Sequence, residues 1–249
     1  MSEIVLRAEG LSKRFGSLVA VDNVSFSVRA ASVVGVLGPN GAGKSTLFQM
    51  LAGLMAPDSG QVFLAGDEVT QLPLHRRAQK GMGYLPQGPS SLPRLTARQN
   101  IIVAIEAAKA QADTVNSILA RAGLVACADQ LVSELSGGQR RRLEIARCLA
   151  TSPRVVLMDE PFAGVDPVNV ETIQIQIRQL AESGVAVVIT DHAVAETLPI
   201  CDSVLILDSG RELISGVPSV VAADPVTRSR YLGNSFSFTA VEALQKGSE

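Results

Sequence analysis

The run GPNGAGKST, residues 38 to 46, fits the pattern G-x-x-x-x-G-K-[ST]. The chemistry such a run performs is to cradle the phosphates of a nucleoside triphosphate. Gly38, Gly41 and Gly43 let the backbone curl so that successive amides face phosphate oxygens. Pro39, Asn40 and Ala42 complete the loop. Lys44 offers a cation to the β and γ phosphates, Ser45 a hydroxyl to Mg²⁺, and Thr46 continues a helix whose positive end faces the phosphates. A second candidate lies at VVLMDE, 155 to 160, an apolar strand ending in two carboxylates. Asp159 would hold Mg²⁺, often through water, leaving Glu160 to act on an attacking water. Two adjacent acids are costly to ionise together unless a metal satisfies one. The expectation is that the metal keeps Asp159 charged while a less solvated Glu160 has the higher proton affinity.

A third stretch poses an electrostatic question. LSGGQRRRLEIARCLA, 135 to 150, reads as a helix starting near Gly138, with Leu143, Ala146, Leu149 and Ala150 at helical spacing. Arg140, Arg141 and Arg142 crowd its first turn, where the backbone dipole is already positive and carboxylates would be favoured. His192, after the apolar run VAVVIT and Asp191, is one of two histidines. The other, His75, sits among LHRRAQK and reads as a surface residue.

The elements that must position these groups follow from periodicity. Residues 3 to 34 read as β, with Val24, Phe26 and Val28 alternating with polar neighbours. SVVGVLG, 32 to 38, is a continuous apolar run ending in glycine, as for a buried parallel strand. Leu47, Met50, Leu51 and Leu54 then share one helix face. PLHRRAQKGMGYLPQ, 73 to 87, reads as short helix, glycine stop, strand and loop. From 88 to 150 alanine-rich helices take over, including Thr96 to Ala112 and Thr114 to Ala122, without a convincing strand. Strand and helix alternate again from RVVLMDEP through a helix at Val168 to Ser183, then VAVVIT and SVLILDSG. The organisation is an α/β core interrupted by a helical insertion.

The chain has 249 residues, 47% hydrophobic and 18% charged, with a net charge of −2, which argues against a general nucleic-acid binder. Its three cysteines lack metal-ligand spacing and read as reduced thiols. MSEIVLRAEG does not look like a signal peptide. The longest apolar runs fall far short of the roughly 20 residues of a membrane helix, so a membrane role is expected only through partners.

Taken together, LSGGQ, its place between the phosphate loop and the Asp-Glu strand, Phe15 in KRFG, Gln87 in YLPQ, AGVD at 163 to 166 and His192 resemble ATP-binding-cassette ATPases over nearly the whole chain. The resemblance implies one cassette with a RecA-like P-loop NTPase core, an antiparallel β subdomain and an inserted α-helical subdomain. Residues 1–87 and 151–235 would form the core with its β subdomain, 88–150 the helical part, and 236–249 a tail. It also implies that Phe15 stacks on adenine, that Gln87 senses Mg²⁺ and the attacking water, that Asp166 contacts nucleotide, and that His192 meets the γ-phosphate.

In such ATPases two copies pair head to tail around ATP, so Ser136, Gly137, Gly138 and Gln139 would face the nucleotide held by the other copy. That ATP would be the anion at the helix start, with some arginines pairing with carboxylates such as Glu144. The stretches LPLHRRAQKGMGYLPQ, DEPFAGVDPVNV, ITDHAVAETLPICD and RYLGNSFSF are most similar to the ATPase subunits of lipopolysaccharide exporters. This implies a homodimer on two integral membrane permease subunits at the cytoplasmic face of the inner membrane, with no nucleic-acid partner. The alternative is the ATPase of an importer, such as one for branched-chain amino acids. In the segment after Gln87, near the groove for the membrane partners, Leu92 and Pro93 replace an expected phenylalanine and arginine. Phe236 and Phe238 would either cap the dimer or dock on their own domain.

Overall fold

The computed structural model describes residues 3–108, 114–233 and 236. Two sheets carry the fold. The first is antiparallel, in the order β2-β1-β4-β5, from β1 (Ile4–Phe15), β2 (Leu18–Arg29), β4 (Ser59–Leu64) and β5 (Asp67–Glu68). The second has the order β10-β9-β3-β8-β7-β6, from β3 (Val33–Leu37), β6 (Met82–Leu85), β7 (Val155–Asp159), β8 (Ala186–Thr190), β9 (Ser203–Asp208) and β10 (Arg211–Gly216). It is parallel apart from β10, which runs against β9.

The continuous apolar runs are the central strands, as expected: every residue of β3, β7 and β8 is buried. Successive side chains point to opposite faces. Val155 and Leu157 pack into a cluster with Leu47, Phe48 and Leu51 of helix α1 (Lys44–Ala52), together with Val21 and Val24 of β2. The phosphate-loop helix therefore lies buried between the two sheets. Val156 and Met158 face the opposite cluster, with Ile173, Ile177 and Leu180 of the helix that follows AGVD.

Between β5 and β6 runs the short helix α2 (Leu74–Gln79). The inserted helices are α3 (Ala97–Ala108), α4 (Val115–Arg121) and α5 (Gly137–Leu149), around a third core that includes Ile101, Leu119, Leu124 and Leu143. The expected helix to Ala112 is seen as far as Ala108, and residues 109–113 lie outside the described ones. Thr114 caps α4 by accepting from the Ser117 N–H. The helix after AGVD is α6 (Pro167–Glu182), with Asp166 as N-cap and proline at its first position. At the far end Phe236 docks on its own chain: it packs beside the second core, and its carbonyl accepts from Arg228 Nη2 at 2.8 Å. Phe238 lies outside the described residues.

Candidate active site

The loop of residues 38–43 leaves β3 and enters α1 through three glycines in left-handed or related conformations, at φ 146°, 79° and 98°. At two of them a side chain has no room. A Cβ on Gly38 would stand 2.1 Å from the Leu207 carbonyl oxygen, and one on Gly43 2.2 Å from that of Ala20. The loop is thus pressed between β9 and β2, and its curl is imposed from outside as well as from within.

Lys44 is buried, and its Nζ donates to the carbonyls of Gly38 (2.7 Å) and Pro39 (3.0 Å). The ammonium therefore sits inside the curl. Burial pulls its pKa down, against the opposing pull of Glu160, Asp159 and Asp191. Ser45 is exposed and Thr46 half-buried at the start of α1, whose first turn holds no acid.

Asp159 ends β7 opposite Thr190 and is 9% exposed. Burial first, and the adjacent Glu160 second, raise its carboxyl to about 6. This corrects the expectation that Glu160 is the less solvated acid. The less solvated of the two acids is Asp159, while the Glu160 side chain is 20% exposed. The reason is backbone direction: Glu160 sits at φ 49°, a conformation that costs a non-glycine residue on the order of 1–3 kcal/mol. That turn swings its carboxylate out of the sheet line. Gln87 Nε2 donates to Glu160 Oε2 at 2.7 Å, and His192 Nδ1 stands 3.4 Å from the same oxygen. Gln87, Glu160 and His192 thus converge beside the loop that holds Lys44. His192 is itself 61% exposed, next to the fully buried Asp191. Asp191 accepts from the N–H groups of Phe162 (3.1 Å) and Ala193 (2.9 Å), fixing both loops.

Phe15 ends β1 with 47% of its surface exposed. Among the described residues Ser136, Gly137, Gly138 and Gln139 make no hydrogen bond to this cluster. Ser136 Oγ accepts from the Gln139 N–H (3.2 Å) and Gln139 Oε1 from the Ser136 N–H (2.9 Å), a capping box that starts α5. Among the described residues no hydrogen bond joins 136–139 to the phosphate loop. Ser136 and Gly137 are exposed at this helix start. Asp166 accepts from Asn169 Nδ2 (2.6 Å) and its N–H (3.2 Å), which holds the carboxyl below its usual range.

The three arginines find their partners inside the chain. Arg141 is buried and donates to the carbonyls of Pro86, Asp159, Glu160 and Pro161, and to Glu144 Oε2 at 3.1 Å. Arg142 reaches Asn169 Oδ1 (3.1 Å) and Arg140 the Leu135 carbonyl (3.3 Å). Glu144 Oε1 accepts from the N–H groups of Ser90 (2.9 Å) and Ser91 (3.3 Å), and Arg147 donates to the Ser90 carbonyl. Helix α5 therefore holds the ends of β6 and β7 and the segment after Gln87. Sequence reasoning missed Asn169, Asp191 and the bridging role of Arg141. The crowding of arginines and a glutamate three residues on were the signal for the last.

Beside this bridge a groove of about 1020 Å³ opens between α2 and β6 on one side and α3 and α5 on the other. Leu74, His75, Ala78, Ala104, Arg147 and Arg154 line it. His75 is exposed there, and Leu92, in the place of the expected phenylalanine, is 39% exposed nearby.

Comparison with known proteins bears on the chain as a whole. The family model described as ABC transporter matches residues 21–163. The chain is 46% identical to the lipopolysaccharide export system ATP-binding protein LptB of Acidithiobacillus ferridurans over 240 residues, covering 95% of this chain and 99% of that one. It is 40% identical to the LptB of Escherichia coli strain K12, over 93% of this chain and 98% of that one. Among solved structures, the ADP conformation of the ATP-binding cassette MJ1267 superposes with a TM-score of 0.84 at 29% identity, over 93% of this chain and all of that one. A dimeric post-hydrolysis cassette, MJ0796 bound to ADP and Pi, gives 0.75 at 25% identity, over 86% and 98%.

Proposed function

The chain belongs to the ABC transporter family as an ATP-hydrolysing cassette, and from that membership we propose that it powers lipopolysaccharide export as the ATPase subunit on two membrane permeases. The observation that carries the cargo is the 46% identity to a lipopolysaccharide export ATP-binding protein over nearly the full length of both chains. The importer alternative has no comparable support.

The site supports the following roles. Lys44, fixed by the carbonyls of Gly38 and Pro39, meets the β and γ phosphates together with the amides of residues 38–46. Phe15 offers its exposed ring to the adenine. Glu160 orients or deprotonates the attacking water, and Gln87 and His192, which meet at its carboxylate, hold that water and the departing γ-phosphate.

Mg²⁺ fits the same place. Among the described residues no cluster of three His, Cys, Asp or Glu holds a metal alone. The donor set instead suits an ion shared with phosphates, with the Ser45 hydroxyl, the Asp159 carboxylate and the Gln87 amide. Asp159, buried beside a second carboxylate, is stabilised by a cation there. When held by these groups, Mg²⁺ would supply neutralisation of charge on the nucleotide phosphates.

In the proposed homodimer Ser136, Gly137, Gly138 and Gln139, exposed at the start of α5 or packed behind it, complete the ATP site of the other copy. Asp166 at the neighbouring helix start lies on the same face of the assembly. Hydrolysis removes the shared phosphate, and opening of the dimer is the work stroke. The groove between α2 and α5 seats the membrane subunits, so the chain is peripheral on the cytoplasmic side of the inner membrane. No helix among the described residues is long and apolar enough to cross a membrane.

The test is mild-detergent co-purification of the chain from its native membrane. Two permease subunits with periplasmic β domains, with lipopolysaccharide in the sample, is the expected result. Importer permeases with a periplasmic binding protein would refute the cargo and leave the ATPase roles standing.

A further inference from the structure

Arg77 has no exposed surface, and none of its hydrogen bonds goes to a carboxylate. Its Nη1 donates to the carbonyls of Met50 (2.8 Å) and Leu51 (2.6 Å), its Nε to that of Leu72 (2.8 Å), and its Nη2 to that of Thr70 (2.9 Å). Burying a cation without a counter-ion is costly, and burial alone brings this guanidinium down to about 10.

A simple helix end does not require it. Gly53 already terminates α1 in a left-handed conformation, with its own N–H on Met50 O and the Leu54 N–H on Gln49 O. What the guanidinium adds is a rigid fork between two helices. Met50 and Leu51 form the last turn of α1, and Lys44 is its first residue. The helix has nine residues, about 13 Å at 1.5 Å each. A cation at that carboxyl end also suits the helix dipole. The contact is tight, since a Cβ on Gly53 would stand 2.6 Å from Arg77 Nε. The other side of α2 belongs to the groove, where Leu74, His75 and Ala78 form part of the wall. One short helix therefore has the groove on one side and the far end of the phosphate-loop helix on the other.

We propose that Arg77 is a positioning residue that couples occupancy of the groove to the phosphate loop. A segment seated in the groove displaces α2, the guanidinium carries α1 with it, and α1 moves Lys44 and Ser45 against the phosphates. The proposal rests on the reading of the groove as the seat of the membrane subunits.

The experiment compares Arg77→Lys with wild type, as the isolated chain and in the complex co-purified from membranes. It measures kcat and KM for ATP and the retention of membrane subunits. Lysine keeps the charge and loses the fork. The expected result is kcat and KM within twofold of wild type for the isolated variant, normal retention, and at least a fivefold loss of the stimulation that the complex confers. Full stimulation in the variant overturns the proposal, as does an equal loss of activity in both states, which would make Arg77 a structural residue only. Ala78→Glu, on the groove wall, tests the underlying reading separately. If that variant keeps its membrane subunits and its stimulation, the groove assignment fails and the coupling with it. If Arg77→Lys does not fold, hydrogen exchange on the wild-type chain replaces it: the amides of Leu47–Ala52 must change protection when the membrane subunits are bound, and unchanged protection overturns the proposal.

Discussion

Replacing Arg141 by methionine keeps most of the side-chain volume and deletes its charge and its hydrogen bonds. Four acceptors are carbonyls at the ends of β6 and β7, those of Pro86, Asp159, Glu160 and Pro161. The fifth is Glu144, whose side chain is 4% exposed. Removing one partner of a buried ion pair costs about 3–5 kcal/mol, chiefly because the other charge stays buried. Glu144 still accepts from Ser90 and Ser91, which puts the expected loss near the lower end, about 3 kcal/mol. For a chain of this size a urea slope of about 3 kcal/mol per molar is reasonable, so the unfolding midpoint should fall by about 1 M.

Glu144→Gln in the same background removes the stranded charge and keeps an acceptor for the serine amides. The double variant should therefore recover on the order of 1 kcal/mol relative to the sum of the singles. The assay is urea unfolding of the four proteins without nucleotide, followed by circular dichroism and fitted with a common slope. A midpoint shift below about 0.3 M for Arg141→Met, three times less than the slope and energy above imply, would refute the reasoning. So would strict additivity, because both rest on a buried, coupled pair.

Glu160→Gln should bind ATP and hydrolyse it on the order of 10²- to 10⁴-fold more slowly, the range for loss of a general base; near-normal turnover would remove Glu160 from that role. Asp159 is protonated more readily in the folded than in the unfolded chain, with a folded value of about 6 against about 3.9 unfolded. At Asp159 the folded state therefore binds more of the proton between those values, and this residue's contribution to nucleotide-free stability should fall as pH rises from about 4 to about 6. Asp159→Asn should make the stability of the nucleotide-free chain fall less over that range than in wild type, with Asp191, also raised by burial, keeping part of the slope. It should also raise the nucleotide-free melting temperature at pH 8 while abolishing hydrolysis; a lower melting temperature would count against the burial argument. Gly138→Ala places a Cβ 2.4 Å from Asn169 Cγ and should cost about 1–3 kcal/mol as overpacking. Asn169→Ala should relieve it in the double variant, and calorimetric unfolding that shows no relief would locate the strain elsewhere.

What could be read in advance was what is local. The phosphate loop is one segment whose glycines, lysine and flanking periodicities lie within about two turns of chain, so GPNGAGKST and its helix needed no other part of the molecule. The central strands were equally plain, because a strand buried on both faces has no polar alternation to confuse it. Arg141 is the opposite case. Its four carbonyls lie up to 55 residues away, and a carbonyl acceptor leaves no trace in the identity of its residue. A first turn crowded with arginines therefore looked like a demand for an external anion, when strand ends already met most of it.

The inversion of Asp159 and Glu160 has the same origin. Their order depends on the register of β7 against β8, which sets Asp159 opposite Thr190 inside the sheet, and on a left-handed turn at Glu160 that no residue-type preference announces. Ser136 and Gly137 are exposed and capped at a helix start, yet among the described residues neither bonds the phosphate loop of its own chain. A helix start open to solvent with no acid in its first turn leaves room for an anion from outside the chain. The arginines behind it serve the chain's own carbonyls. The exposed start of the helix in front of them is where we propose that the second copy's ATP docks.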